Sequence, residues 1–136
     1  MAVALGALVT VVAGGVGALL GARLEHRRWL RQERLEAWTE LLAWNTDLFR
    51  ALRDYHREKD REPRQSTAIE EVGRAMLNTI HAGGRATGRA SLLGPAEVAD
   101  AALRMLPDTG TTPDGAALGQ QRLEFTVLCR KHLRAG

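Results

Sequence analysis

The chain opens with an apolar run and then changes abruptly to a charged, amphipathic pattern. Residues 1–22 carry no charged side chain, and the next twelve residues contain five arginines: Arg23, Arg27, Arg28, Arg31 and Arg34. A helix of 22 residues rises about 33 Å, which is enough to cross a hydrocarbon core of about 30 Å. The pattern predicts a transmembrane helix over residues 1–22.

Arginines close to a span favour its cytoplasmic side. We therefore expect a plasma (inner) membrane protein with its N-terminus outside and its C-terminal domain in the cytoplasm. A secretory signal peptide is the first alternative, but it would carry positive charge before the apolar run, and here the arginines follow it. A buried core helix is the second alternative, and it usually has a shorter apolar run.

Small residues recur every four positions within this segment. They form one ridge along a helix and part of a second, and close approach of two helices is favoured by such ridges. The predicted helix-pairing residues are Gly6, Thr10, Gly14, Gly17, Ala18 and Gly21. We expect a homo-oligomer on this basis, although a composition rich in Ala and Gly would produce similar spacings.

The arginines that follow the apolar run surround a tryptophan. Tryptophan at a membrane surface commonly sits at headgroup level, and arginines are attracted to anionic lipid headgroups. The predicted membrane-interface residues are Arg23, Arg27, Arg28, Trp29 and Arg31. Simple packing is the alternative role for Trp29.

Residues 23–62 predict a stalk helix that becomes the first helix of a bundle. Neither Pro nor Gly interrupts them, so this helix can continue directly from the membrane helix. Apolar residues recur at spacings of three and four: Leu35, Trp38, Leu41, Leu42, Leu48, Phe49, Leu52 and Tyr55. Asn45 falls within this stripe, where a polar residue either sets the register of a helical assembly or lies at the water-exposed edge.

Residues 63–136 predict the remaining helices. Thr67 and Glu70 form a capping-box pattern after Pro63, and Thr112 with Pro113 is placed to open the last helix. Pro95 fits the first turn of a short helix. The expected apolar face of the second helix is Ile69, Val72, Met76 and Ile80, and it weakens through Gly83, Gly84 and Gly88. The short third helix is expected to bury Val98, Ala99, Ala102, Leu103 and Leu106. The last helix presents Leu118, Phe125, Leu128 and His132 along one side. Without an alternating strand pattern, the predicted fold is all-α, an antiparallel bundle of about four helices.

Composition refines this picture only slightly. The net charge is +3, and much of the excess lies in the arginines after the apolar run, so the charge does not require nucleic acid as a partner. Nucleic-acid binding would require the later arginines to gather on one face: Arg74, Arg85, Arg89, Arg104, Arg122, Arg130 and Arg134. One cysteine, Cys129, allows no internal disulfide and is consistent with a reducing compartment.

Candidate chemistry is sparse. The segment 83–91 has the glycine spacing of a phosphate loop, but Arg89 and Ala90 occupy the positions of the required Lys and Ser or Thr. Cys129 and His132 share a helix face, yet two ligands do not make a metal site, and a half-buried packing role is the better interpretation. We expect no catalytic site, no metal and no cofactor, and we expect a protein acting by contact, as an adaptor, scaffold or accessory subunit. A membrane-bound enzyme with an unfamiliar site is the alternative class.

Three stretches carry a resemblance to a known group. The apolar start, RLEHRRWLRQERLEAWTELL at 23–42 and LLGPAEVADAALRML at 92–106 resemble parts of small single-span actinobacterial membrane proteins, some of which are labelled KilB-like after a plasmid-spread protein. The resemblance covers about half of the chain. It implies a membrane-anchored helical protein linked to conjugal plasmid transfer, and it implies no catalytic residues. The protein partner is unknown at this point.

Overall fold

Four α-helices make up the described chain. The computed structural model describes residues 2–61, 66–108 and 112–134, and of residues 2–20 it describes the helical backbone alone. The helices are α1 (Ala2–Lys59), α2 (Ser66–Leu93), α3 (Ala96–Arg104) and α4 (Gly115–Arg134). No strand occurs in these ranges. The predictions of an all-α fold and of four helices are confirmed.

The chain divides into two compact units, residues 1–33 and residues 34–136. Helix α1 belongs to both, since it runs from Ala2 to Lys59 as one element. Among the described residues, no helix combines the length and the apolar character needed to cross a membrane. The predicted transmembrane segment 1–22 lies outside the described side chains except for Gly21 and Ala22.

The second unit is a bundle in which neighbouring helices run antiparallel. Arg34 Nε, near the start of the bundle part of α1, donates a hydrogen bond of 2.6 Å to the Leu93 carbonyl at the end of α2. At the opposite end, Leu52 of α1 faces Gly115 at the start of α4. Helix α3 packs against α2 and α4. The order is therefore up, down, up, down, with α2 and α4 both flanking α1.

The core follows the apolar stripe of α1 closely. Trp38, Leu41, Leu48 and Leu52 are buried as the spacing predicts, and Leu42, Phe49 and Tyr55 pack beside them. The prediction for Leu35 is wrong: half of its surface is exposed. Leu35 lies one turn from exposed Thr39, whose hydroxyl bonds to the Leu35 carbonyl, so this side of α1 faces away from its neighbours. Trp44, which the stripe omits, is also buried.

Helix α2 continues through all three glycines at which its apolar stripe weakens. Beyond Met76 the buried positions of α2 are small: Gly83, Ala86, Thr87 and Ala90. A Cβ atom on Gly83 would overlap the Trp44 ring, whereas a Cβ on Gly84 would meet nothing within 4 Å. The large side chains of α1 therefore pack on a flat, small-residue face of α2, and the weak stripe is the consequence of that packing.

The predicted starts of two helices need correction. Helix α2 begins at Ser66, so Thr67 lies inside its first turn instead of capping it. Helix α4 begins at Gly115, and Asp114 caps it, because Asp114 Oδ1 accepts a bond of 3.0 Å from the Ala116 amide. A carboxylate two residues before an unpaired helical amide is a strong N-cap. The predicted opening at Thr112 and Pro113 is therefore early.

The faces of the last two helices are partly as predicted. On α3, Val98 and Ala102 are buried, but Ala101 and Met105 complete the core face and Leu103 is exposed. On α4, Leu118 and Phe125 are buried together with Cys129, while Leu128 and His132 are half-buried. The predicted buried face of α3 is partly wrong because the helix is short and rich in alanine. Several orientations of such a helix would bury a similar set of apolar residues.

Candidate functional site

The arginine-rich segment that follows the apolar run is an exposed helix. Every residue from Gly21 to Trp29 is exposed, and Trp29 keeps 54% of its surface. The Trp29 ring stacks on His26, with ring centroids 5.7 Å apart. Arg23, Arg27 and Arg31 follow one another at four-residue steps, so they share one side of α1. The segment presents cations and a large aromatic ring together, without a core of its own.

The helix-pairing prediction falls mainly beyond what the structure describes. Side chains of Gly6, Thr10, Gly14, Gly17 and Ala18 lie outside the described residues. Gly21 is described: it is exposed, and a Cβ there would meet nothing within 4 Å. The pairing face therefore stays a prediction.

Asn45 is fully buried, and this excludes the interpretation that places it at the water-exposed edge of the stripe. Its exposed fraction is 0%, and neither its amide nitrogen nor its amide oxygen has a hydrogen-bond partner among the described residues. The Thr87 hydroxyl and Trp38 Nε1 are also buried without a partner in the described part of the chain. Asn45 does not lie at a water-exposed edge, and its register role stays a hypothesis.

Cys129 and His132 take different environments on α4. Burial raises the pKa of the Cys129 thiol to about 12, so the thiolate that binds metals or acts as a nucleophile is scarce at neutral pH. His132 Nε2 lies 3.5 Å from Glu97 Oε2 on α3. No group of three or more His, Cys, Asp or Glu residues in the described ranges could hold a metal ion.

Glu97 joins the start of α3 to the end of α4. Lys131 Nζ lies 3.2 Å from Glu97 Oε2, and this hydrogen bond, with smaller effects from Lys131's charge and from His132, holds the pKa of the Glu97 carboxyl below its usual value. The carboxylate also lies in the first turn of α3, where negative charge suits the helix dipole. These contacts connect the start of α3 to the end of α4.

A long groove runs along the outside of the bundle between α1 and α2. It has a volume of about 820 Å³, and Glu40, Ala43, Trp44 and Asp47 line it from α1. Residues from α2 complete it: Asn78, Thr79, His81, Ala82, Arg85 and Ala86. A second pocket of about 360 Å³ shares Asp47 and Thr79 with the first, and its other lining residues are Arg50, Ala51, Asp54, Val72 and Ala75. We call the two pockets together the α1–α2 groove.

Sequence reasoning misses this groove. Its α1 residues, Glu40, Ala43, Asp47 and Asp54, recur at spacings of three, four and seven, and Ala75, Ala82 and Ala86 on α2 recur at spacings of seven and four. This periodicity is visible in the sequence. These positions lack large hydrophobic residues, however, so the pattern resembles that of any solvated helix face until the two helices are placed side by side.

The later arginines are distributed over three helices. Arg89 of α2 lies 3.0 Å from Glu40 and 3.5 Å from Glu36, and Arg104 of α3 lies 2.7 Å from Glu124 of α4. Arg74 and Arg85 are also on α2, and Arg122, Arg130 and Arg134 are on α4. Ion pairs with carboxylates thus occupy two of these arginines.

Comparison of the chain with protein-family models, with curated proteins and with solved structures finds no match.

Proposed function

We propose that this protein is a single-pass membrane-anchored adaptor, scaffold or accessory subunit whose helical bundle acts by protein contact. One observation carries the proposal: 22 uncharged residues lead directly into an exposed helix with four exposed arginines and Trp29. Tryptophan is enriched at membrane–water interfaces and arginines are attracted to anionic headgroups, so this combination suits a bilayer surface. Residues 1–22 would cross the bilayer of the plasma (inner) membrane, and the bundle would lie in the cytoplasm.

The bundle supports a role in contact more than one in catalysis. An open groove between α1 and α2 is lined by alanines and by charged residues from both helices. The one thiol is buried and has a raised pKa. A surface of this kind suits recognition of a protein segment, which needs shape and charge and no reactive group.

Topology is the first test of the proposal. In a Cys129→Ala background, one cysteine is introduced at exposed Ser66 and, in a separate chain, at Ala2. We expect a membrane-impermeant maleimide to label Ala2→Cys in intact cells and Ser66→Cys only after the inner membrane is opened. Labelling of Ser66→Cys in intact cells, or recovery of the full chain in the soluble fraction, would contradict the anchored orientation.

The arginine cluster provides a matched test. Replacing Arg23, Arg27, Arg28 and Arg31 with Gln removes the charge bias, so we expect a mixed orientation in the same labelling assay. The control replaces four exposed arginines of the bundle with Gln: Arg53, Arg74, Arg130 and Arg134. The control removes equal charge and should keep the original orientation. Equal behaviour of the two variants would remove the role proposed for the cluster.

A further inference from the structure

One end of the bundle is the end at which the chain enters it. The bundle unit begins at residue 34, and Arg34 Nε bonds to the Leu93 carbonyl, so the turn between α2 and α3 lies at this end. Glu97, in the first turn of α3, lies 3.2 Å from Lys131, so the last turns of α4 lie here as well. We call residues 34–40, 89–97 and 130–134 the entry end.

Every carboxylate of the entry end has a cation beside it. Glu36 and Glu40 lie 3.5 Å and 3.0 Å from Arg89. Glu97 is paired with Lys131. An approaching anion is therefore not repelled by an uncompensated carboxylate within the entry end.

Two arginines of the entry end have no such pairing. Arg130 and Arg134 are exposed, and neither has a hydrogen bond or an ion pair with another side chain in the described part of the chain. They are four residues apart, so their guanidinium groups share one side of α4. Even with Asp100, the next carboxylate along α3, the cations of this end outnumber the carboxylates.

The opposite end, where α1 finishes and α2 begins, has a different charge pattern. Asp60, Glu70 and Glu71 are exposed there, and no ion pair within the described ranges includes them. Exposed arginines, Arg53 and Arg74, lie on the same parts of the two helices. An anionic surface would meet attraction and repulsion together at the opposite end, whereas the entry end offers attraction alone.

The entry end also carries an unusually exposed leucine. Leu92 is 88% exposed, the largest fraction among the exposed large hydrophobic residues that the structure describes. Its neighbour Leu93 packs against the core, so Leu92 projects from the last turn of α2 just before Gly94 and Pro95. Apolar surface gains free energy when it leaves water. Excess cations beside an exposed leucine are typical of surfaces that bind the headgroup region of a bilayer.

We propose that the entry end is a second membrane contact, which binds anionic phospholipid headgroups. The inference rests on the proposed function, because the anchor brings the bilayer to this end of the bundle. Trp29 and Arg34 are five residues apart in α1, a rise of about 8 Å. The potential of an anionic bilayer decays over a Debye length of about 8 Å at physiological ionic strength. With Trp29 at headgroup level, the entry end therefore lies within reach of that potential.

Spin labelling of the full chain tests the contact. In a Cys129→Ala background, a nitroxide is attached at Ala96→Cys, an exposed position in the first turn of α3, or at Glu70→Cys near the opposite end. Each chain is reconstituted as one copy per nanodisc, in equal parts of phosphatidylglycerol and phosphatidylcholine or in phosphatidylcholine alone. The readout is the accessibility of the label to oxygen, which concentrates in lipid, relative to a water-soluble nickel complex.

We expect the oxygen-to-nickel ratio at position 96 to be a few-fold higher than at position 70 in the anionic bilayer. In phosphatidylcholine alone, the ratio at position 96 should fall to that at position 70. Replacing Arg130 and Arg134 together with Gln should remove most of the difference. The matched control replaces Arg53 and Arg74 with Gln and should leave the difference unchanged.

The leucine has its own matched pair of variants. Leu92→Gln should lower the ratio at position 96, whereas Leu103→Gln, at an exposed leucine nearer the other end of α3, should not. Circular dichroism checks that each variant keeps its helices. Because each disc holds one copy, contact between copies cannot produce the signal.

Equal ratios at positions 96 and 70 in the anionic bilayer would overturn the proposal. A difference that persists in phosphatidylcholine alone, or that ignores the loss of Arg130 and Arg134, would overturn it as well. If topology labelling still shows anchoring in that case, the second contact is wrong and the proposed function stands. A chain that does not enter the bilayer at all overturns both.

Discussion

Helices α2 and α4 both pack on α1, and they do so in opposite ways. Helix α2 contributes small buried residues, Gly83, Ala86, Thr87 and Ala90, and receives large side chains from α1. Helix α4 contributes Leu118, Phe125 and Cys129, which fill the other side of the core. The contact between α1 and α2 therefore requires small side chains on α2, whereas the contact between α1 and α4 requires the side chains of α4 to fill the core. The two sides should respond to opposite kinds of substitution.

The largest effect is expected on the α4 side. Phe125 is 0% exposed, so Phe125→Ala removes a full aromatic side chain from the core and should lower the free energy of unfolding by about 3–5 kcal/mol. Leu123→Ala on the same helix is the control, since Leu123 keeps 60% of its surface exposed and should change stability little. Chemical denaturation measures both variants. Similar losses would mean that α4 packs in another orientation.

On the α2 side, adding one methyl group should be harmful. Gly83→Ala places a Cβ against the Trp44 ring and should cost about 1–3 kcal/mol through overpacking. Its neighbour is the matched control: a Cβ on Gly84 meets nothing within 4 Å, so Gly84→Ala should gain up to about 1 kcal/mol from helix propensity. Opposite signs in thermal unfolding would sharpen the contrast between the two sides, and equal gains would break it.

The buried side chain of Asn45 should also respond in a diagnostic direction. An unpaired buried amide costs about 1–3 kcal/mol, so Asn45→Leu should raise the free energy of unfolding by about 1 kcal/mol. Asn78→Leu on exposed α2 is the control and should stay within about 0.5 kcal/mol. A loss of stability would show that the amide has a partner.

The smallest effect is expected at the contact between α3 and α4. Since the pKa of Glu97 is lowered from 4.5 in the folded chain, its contribution to stability is present above pH 4.5 and is lost as the pH falls through the lower folded value. Glu97→Gln should therefore flatten the dependence of unfolding on pH below 4.5. Glu71→Gln, at an exposed carboxylate of α2 outside the ion pairs described, is the control. An unchanged acid profile for Glu97→Gln would contradict the Lys131 contact.

The helices and the α1 core face could be predicted because their signals are local. Side chains three and four residues apart share one side of a helix, so Trp38, Leu41, Leu48 and Leu52 identify the buried face of α1 without knowledge of its partners. Errors occur where the local signal is degenerate. Helix α3 has nine residues with four alanines, and the spacing predicts Leu103 on its buried face, whereas the structure buries Met105.

The candidate surfaces divide in the same way. The predicted membrane-interface residues are recognisable from the sequence, because a charged cluster next to an uncharged run can be identified without any contact from another helix. These residues are Arg23, Arg27, Arg28, Trp29 and Arg31. The α1–α2 groove is not recognisable, because Asp47 and Arg85 are 38 residues apart and have a common surface only after α1 and α2 pack. Neither residue carries a motif. Their relation is a property of the bundle.

Composition and the spacings within one helix are enough to predict the all-α class, the number of helices, the buried stripe of α1 and the position of the arginine cluster. Contacts between helices determine that Gly83 is packed and Gly84 is open, that Asn45 is buried, and that two alanine-rich faces form a groove. These outcomes depend on which atoms of distant residues meet. Helical periodicity specifies which side of a helix a residue occupies, and the neighbouring helix determines what that side contacts.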